Sequence, residues 1–449
     1  MLTLAVKSHG ILVGSLQHEP TTQRWAFAYE PSWLGQTDRF ALCPGLPLKP
    51  DVTASVEEHS TATRNFFENL LPEGRALDEA ATSNKISKAN SFGLLAALGR
   101  ETAGALEILP NTAIAAVPSS RRLISRDDLA ERIRDRPYLP FTVWDGRVRL
   151  SIAGYQDKLA VLEEDGRWFL VEGRRLASTH LLKPEPVNPA LAGLTTNEHL
   201  CMSLARCVGL VTAPTRLIHL PEPVLIVQRF DRRRIGHEIR RVHCIDGCQV
   251  LGLPVGMKYE RPFGNGEHVR HIRDGANLPR LFASLRRHAW LATTEKMALL
   301  RWVVFQVLIG NVDAHAKNLS FFLSARGLAL APAYDLVCGL VYEQQGFEDT
   351  FAMAIGDGFA PHALTPYDWA QFAIECGIAS GVVCREINRL AQGCLEHLPS
   401  VARTVRDEGG SAAMIERVCG VIQRQANRAM AIAPSISRAA REEMPRAVG

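Results

Sequence analysis

The sequence has several clear absences. None of its ten cysteines stands at C-x-x-C spacing. Cys43, Cys201, Cys207, Cys338 and Cys419 are scattered among apolar neighbours, the pattern of reduced core thiols rather than of a disulfide framework. His243, Cys244 and Cys248 come nearest to a metal pattern, but no second cluster at zinc spacing accompanies them, so structural zinc is not expected. The longest apolar run, residues 297–309, is broken by Arg301 and Gln306. It falls short of the roughly 20 residues that a membrane span requires. Residues 1–14 lack the apolar core and cleavage site of a signal peptide and alternate like a first strand, so a cytoplasmic location without membrane contact is expected. Charge of one sign is missing too: 51 Lys and Arg against 47 Asp and Glu leave +4, too mild to mark a nucleic-acid binder. There is neither an internal repeat nor a low-complexity tail.

What is there is 449 residues, 47% hydrophobic, enough to bury a large core in more than one structural lobe. Residues 2–48 alternate in short runs broken by Gly10, Gly14, Pro31 and Gly35, which predicts a small antiparallel sheet. Helical spacing follows over 61–81 (Phe66, Phe67, Leu70, Leu71) and over 91–98, so residues 1–110 read as an α+β unit. Residues 111–122, with alanines, Pro118, Ser119 and Ser120, read as a linker. Strands and turns alternate again over 143–230, interrupted by one helix at 196–208 and closed by an apolar strand at 224–230. Beyond that, residues 231–449 turn helical, notably at 278–291 and 294–309. Strands first and helices later predict a two-lobed α+β enzyme. Residues 254–277, rich in Gly, Arg and His, read as an exposed loop whose charges are solvated rather than functional.

The strongest chemical signal is Gly310-Asn311-Val312-Asp313-Ala314-His315-Ala316-Lys317-Asn318, a charged loop between two apolar elements. Asp313 and Asn318 have the D-x-x-x-x-N spacing of a kinase catalytic loop, where the aspartate accepts a hydroxyl proton and the asparagine oxygen holds Mg²⁺. Asp335 follows 17 residues after Asn318, where a kinase places its second metal carboxylate. Mg²⁺ prefers oxygen ligands and retains waters, so one carboxylate, one amide oxygen and ATP phosphates suffice. A turn cap alone would also explain the pair Asp313 and Asn318. The weight therefore rests on upstream parts in the right order.

Those parts are a short glycine-containing loop, Ser151-Ile152-Ala153-Gly154-Tyr155-Gln156-Asp157-Lys158, and Lys183 at the end of a strand. The loop has neither G-x-G-x-x-G nor a Walker pattern and could be an ordinary hairpin turn; Lys183 could be merely solvated. Glu198, near the start of the following helix, suits either a partner for Lys183 or a first-turn cap. The strand ending at Gln228, Arg229 and Phe230 stands where a hinge between lobes belongs, with main-chain groups for an adenine.

With these parts in order, the chain resembles the HipA family, whose fold is protein-kinase-like. SIAGYQDKLA, STHLLKP, TNEHLCMSLA, VQRFDRR, GNVDAHAKN and APAYDL resemble its phosphate loop, lysine strand, following helix, hinge, and catalytic and metal segments. GILVGSLQH, RNFFENLLPEG and NSFGLLAALGRETAGAL resemble its small N-terminal domain. The resemblance spans residues 1–400 and implies a serine/threonine kinase using ATP and Mg²⁺. It makes Asp313 the catalytic base, and Asn318 and Asp335 the metal ligands. The nucleotide site would take Ser151, Ala153, Gly154, Tyr155, Gln156, Lys158, Lys183, Gln228, Arg229, Phe230, His315, Lys317, Asn318 and Asp335. Ser151 matches a serine at which family members autophosphorylate, silencing the enzyme through charge beside bound phosphate. Family toxins phosphorylate translation components, typically an aminoacyl-tRNA synthetase, and are held by a helix-turn-helix antitoxin through which they meet DNA only indirectly. One departure is Gln228, where the family pattern has glutamate. Two other readings compete: a catalytically silent nucleotide-binding corepressor, and a metallo-hydrolase using Asp313, His315 and Asp335.

Overall fold

The computed structural model describes residues 1–50, 53–110, 119–145, 147–148, 156–173, 176–345 and 349–443. They form two compact units. The first gathers Met1–Pro184, His219–Val255 and Phe321–Gly327, and the second Glu185–Ile218, Gly256–Ser320 and Leu328–Gly449.

The first unit opens with a four-stranded antiparallel sheet ordered Arg24–Tyr29, Ile11–Glu19, Leu2–Ser8, Leu106–Pro110. Leu4, Val6, Val13 and Leu16 turn inward to pack under helical residues such as Phe66, Phe67, Leu94 and Leu95. The single helix expected over 61–81 is two, Val56–Glu68 and Gly74–Asn84. Pro72 has no N–H for a continuing helix and biases the residue before it away from helical backbone, so the chain breaks there. The first of these helices starts on a capping box, Ser55 with Glu58, which satisfies two otherwise orphaned N–H groups.

A six-stranded sheet follows, ordered Thr215–Leu220, Glu222–Gln228, His180–Pro184, Leu159–Glu164, Arg167–Glu172, Ser120–Ile124. Its last strand corrects the end of the linker expectation, at 120–122; residues 111–118 lie outside the described residues. Residues 120–122 pair with 170–172, and only Ile124 of that strand is buried, which is why a polar Ser-Arg-Arg run gave no strand signal. It is an edge strand, where charged side chains are the rule. The helix Arg126–Asp135 was equally hidden, since only Leu129 and Ile133 face the core.

The second unit is mostly helical. Ala292–Ile309 is buried nearly all round from Leu299 onward, so it reads as continuously apolar and forms the unit's core. The long helices Ser380–Asp407 and Ala412–Glu443 pack along each other and against it. The helix expected over 278–291 stops at His288, leaving Trp290 and Leu291 exposed. Among the described residues no helix is long and apolar enough to cross a membrane.

Candidate active site

In the first unit, strand His180–Pro184 lies between Glu222–Gln228 and Leu159–Glu164, with Lys183 opposite Leu225. Lys183 and Lys158 are both buried, at 4% exposure each, so Lys183 is not the solvated surface lysine that sequence alone also allowed. Gln156 Nε2 donates to Pro184 O at 3.2 Å, tying the downstream end of the loop to the lysine strand. Ser151, Ala153, Gly154 and Tyr155 lie outside the described residues.

The hinge segment divides its labour. Gln228 ends its strand exposed, and Phe230 meets Phe322 edge-on at 5.9 Å. Arg229 is buried: its main-chain N–H donates to Thr179 O at 2.8 Å, and its guanidinium grips Asp231 (3.0 and 2.8 Å) and Ser178 Oγ (2.9 Å). Arg232 also donates to Asp231, at 2.8 Å, and to Gly104 O and Thr102 O. Burial alone would raise the Asp231 carboxyl, but Arg229 and Arg232 outweigh it and hold it below the ordinary carboxylate range. A buried ionic cluster thus anchors the hinge to residues 101–104 of the N-terminal region, and the Arg229 side chain serves that anchor. The sequence offered no sign of it beyond polar residues after an apolar strand.

The nearest approach to a metal pattern proves to be core. His243 stacks on Phe40 at 4.2 Å and donates through Nε2 to Leu42 O, while Cys244 and Cys248 are buried.

In the second unit the loop 310–318 is built on its own backbone. The helix Ala292–Ile309 ends at Gly310, whose φ of 64° is the left-handed conformation glycine adopts without strain. Asn311, 1% exposed, donates to Gln306 Oε1 at 2.8 Å and accepts the Asp313 N–H at 3.0 Å. Asp313 O receives the His315 N–H at 2.8 Å and Asn318 Nδ2 at 2.8 Å. The last bond joins the two ends of the D-x-x-x-x-N motif, whose Asp313 is exposed. His315 is 6% exposed and driven down to about 3 by burial, with Lys258 and Lys317 adding to the effect, so it is neutral at physiological pH. Its Nδ1 is buried without a hydrogen bond.

Lys317 is buried in a 3₁₀ turn, and its carbonyl accepts the Tyr334 hydroxyl at 2.7 Å. Tyr334 also meets Ser320 Oγ at 2.8 Å, which fixes the residue next to Asp335. Asp335 itself has φ 51°, a conformation uncommon outside glycine that recurs at functional sites. Downstream, the Asn197 amide pairs with both main-chain groups of Cys338 at 2.8 and 3.0 Å, pinning the segment that carries Asp335. Asn197 was not singled out in the sequence. The capping alternative for Glu198 is corrected: Glu185 accepts the N–H groups of Gly193, Leu194 and Thr195, while Glu198 sits further into the helix at 1% exposure.

The loop 254–277 departs from expectation in part. Glu260 is 2% exposed and binds the Arg273 guanidinium, and Tyr259 donates its hydroxyl to Asp313 Oδ1 at 2.7 Å. Glu267, His268, Arg270, His271 and Asp274 are exposed, as expected of solvated charges.

Asn318 and Asp335 present hard oxygen donors, which suits Mg²⁺. Among the described residues no group of three or more His, Cys, Asp or Glu side chains gathers as a metal site, so phosphate and water would complete the shell.

Two family models match the chain: the HipA N-terminal domain at residues 4–109 and the HipA-like C-terminal domain at 150–400. A serine/threonine-protein kinase toxin HipA of Shewanella oneidensis is 37% identical over 395 residues, 87% of each protein. A putative kinase of Sinorhizobium fredii is 33% identical over 389 residues, 85% of this chain and 87% of that protein. The solved complex of Shewanella oneidensis HipA, HipB and operator DNA contains a chain that superposes with a TM-score of 0.84 at 33% identity, covering 97% of this chain and 99% of that one. The fold is accordingly α+β of the HipA type, and the chain belongs to the HipA family.

Proposed function

We propose that the protein is an ATP-dependent, Mg²⁺-requiring protein serine/threonine kinase. The observation that carries this reading is the closed loop 313–318, in which the Asn318 amide donates to the Asp313 carbonyl and joins the two ends of the D-x-x-x-x-N motif, with Asp313 exposed. Asp313 accepts the proton of the attacking hydroxyl, whose oxygen bonds to the γ-phosphorus as the bond to the β,γ-bridging oxygen breaks and ADP leaves. Lys183 contacts the phosphates. Asn318 and Asp335 would hold a Mg²⁺ ion, which would supply positive charge against the charge developing in the transfer. The protein's share is positioning and charge neutralisation, since phosphoryl transfer requires little covalent chemistry from the enzyme. Adenine binds along main-chain groups near Gln228 and Phe230, because the Arg229 N–H already serves Thr179.

The family relation supports the finer reading of a cytoplasmic toxin that phosphorylates a translation-related protein such as an aminoacyl-tRNA synthetase. It also supports restraint by a DNA-binding helix-turn-helix antitoxin and silencing by autophosphorylation at Ser151. Induced expression in bacteria, with phosphoproteome comparison, tests it. The wild type is expected to arrest growth and phosphorylate a small set of proteins, and Asp313→Ala to do neither. Equal arrest by both at matched levels would refute it.

A further inference from the structure

Tyr259 lies in a loop without regular strand or helix, yet its neighbours are held on every side. Lys258 O accepts the Ala316 N–H at 3.1 Å, so the loop is stitched to the catalytic turn itself. Glu260 pairs its N–H with Ala352 O at 2.9 Å and its carbonyl with Gly275 N–H at 3.2 Å. The Glu260 carboxylate accepts Ala354 N–H at 2.7 Å and two Arg273 contacts at 2.6 and 2.5 Å, and Arg273 reaches on to Asp357 at 2.5 Å. The return strand of the loop passes so close that a Cβ at Gly275 would lie 1.8 Å from Tyr259 O. The ring meets His315 edge-on at 5.0 Å, with the Lys258 ammonium 5.4 Å from its centre. From this anchored position the phenol donates to Asp313 Oδ1 at 2.7 Å.

We propose that Tyr259 is a positioning residue for the catalytic base. Its hydroxyl fixes the rotation of the Asp313 carboxylate, so that Oδ1 receives the phenol and the substrate proton goes to Oδ2. This rests on the kinase reading given above. A carboxylate on a single bond otherwise samples its torsion broadly, and only part of that range is productive.

Tyr259→Phe keeps the ring against His315 and removes only the hydroxyl. Label transfer from γ-labelled ATP with Mg²⁺, onto the chain itself and onto a bacterial lysate, is followed against ATP concentration for wild type, Tyr259→Phe and Asp313→Ala. The plateau rate of Tyr259→Phe is expected to fall roughly tenfold or more, in line with loss of a hydrogen bond to a charged group. The half-saturating ATP concentration should stay unchanged. Rates are normalised to the folded fraction read from the thermal melt, so a partly unfolded variant does not mimic the effect. A plateau equal to or above wild type, or an effect confined to half-saturating ATP, overturns the proposal. Failure of the kinase reading looks different: wild type and Asp313→Ala would then be equally inactive.

Discussion

His243 and Asp313 show two opposite fates of a polar side chain in this protein. Asp313 is exposed on a loop whose backbone is held by hydrogen bonds that do not use its carboxylate, and that carboxylate takes the Tyr259 hydroxyl at 2.7 Å. His243 is sealed against Phe40, and burial pushes it down to about 4. That shift carries a stability consequence with a definite sign. An unfolded histidine titrates near 6.5, so between pH 6.5 and 4 the unfolded chain binds the extra proton. Stability from neutral His243 is therefore present above that window and lost as pH falls through it. Lowering pH from 7 to 5 should cost about 2 kcal/mol through this residue alone. Denaturant unfolding of His243→Gln should show a correspondingly shallower loss over that range, and an unchanged pH slope would contradict it. Asp231 carries the larger single-residue penalty. Replacing it by alanine strands Arg229 and Arg232 in the interior, and urea unfolding should report a loss of about 3–5 kcal/mol.

Among the elements, the loop 254–277 is the one the sequence conceals best. Composition marks it as exposed, and several of its residues are, but Glu260 and Arg273 lock it through an ion pair that no local pattern announces. Two glycines in it make a paired prediction. Gly275→Ala drives a methyl into the Tyr259 carbonyl, so it should lower the melting temperature and slow label transfer by roughly tenfold or more, as misplacement of a catalytic group does. Gly256 has open space around its Cβ position, and Gly256→Ala should change neither. Equal behaviour of the two variants would remove the loop from the account. Elsewhere legibility followed burial. The helix Ala292–Ile309 and the apolar strand expected over 224–230 stood out because their apolar residues dominate. Ser120–Ile124 and Arg126–Asp135 did not, because one buried side chain in the strand and two in the helix leave no periodicity to read. The D-x-x-x-x-N spacing was legible because one short loop brings both residues together. Tyr259 and Asn197 were not, because their partners are 54 and 141 residues away in sequence.

For the whole molecule, the N-terminal 110 residues are bound into the first unit by polar contacts as well as by chain continuity. Asn65 and Asn69 donate to Gly252 O and Leu253 O at 2.8 and 2.9 Å, and Glu101, Thr102 and Gly104 close the cluster around Arg229 and Asp231. A chain beginning at residue 111 should therefore be insoluble or molten, lacking a cooperative thermal transition, since it leaves buried arginines without their partners. A sharp transition near that of the full chain would show the N-terminal part to be dispensable. The central claim is that Asp313 promotes phosphoryl transfer from ATP, and γ-labelled ATP with purified wild type and Asp313→Ala, matched for melting temperature, tests it most directly. Label on the wild type or on a lysate protein, absent with the variant, is the predicted result; ATP binding by both with no transfer under any divalent metal would contradict it.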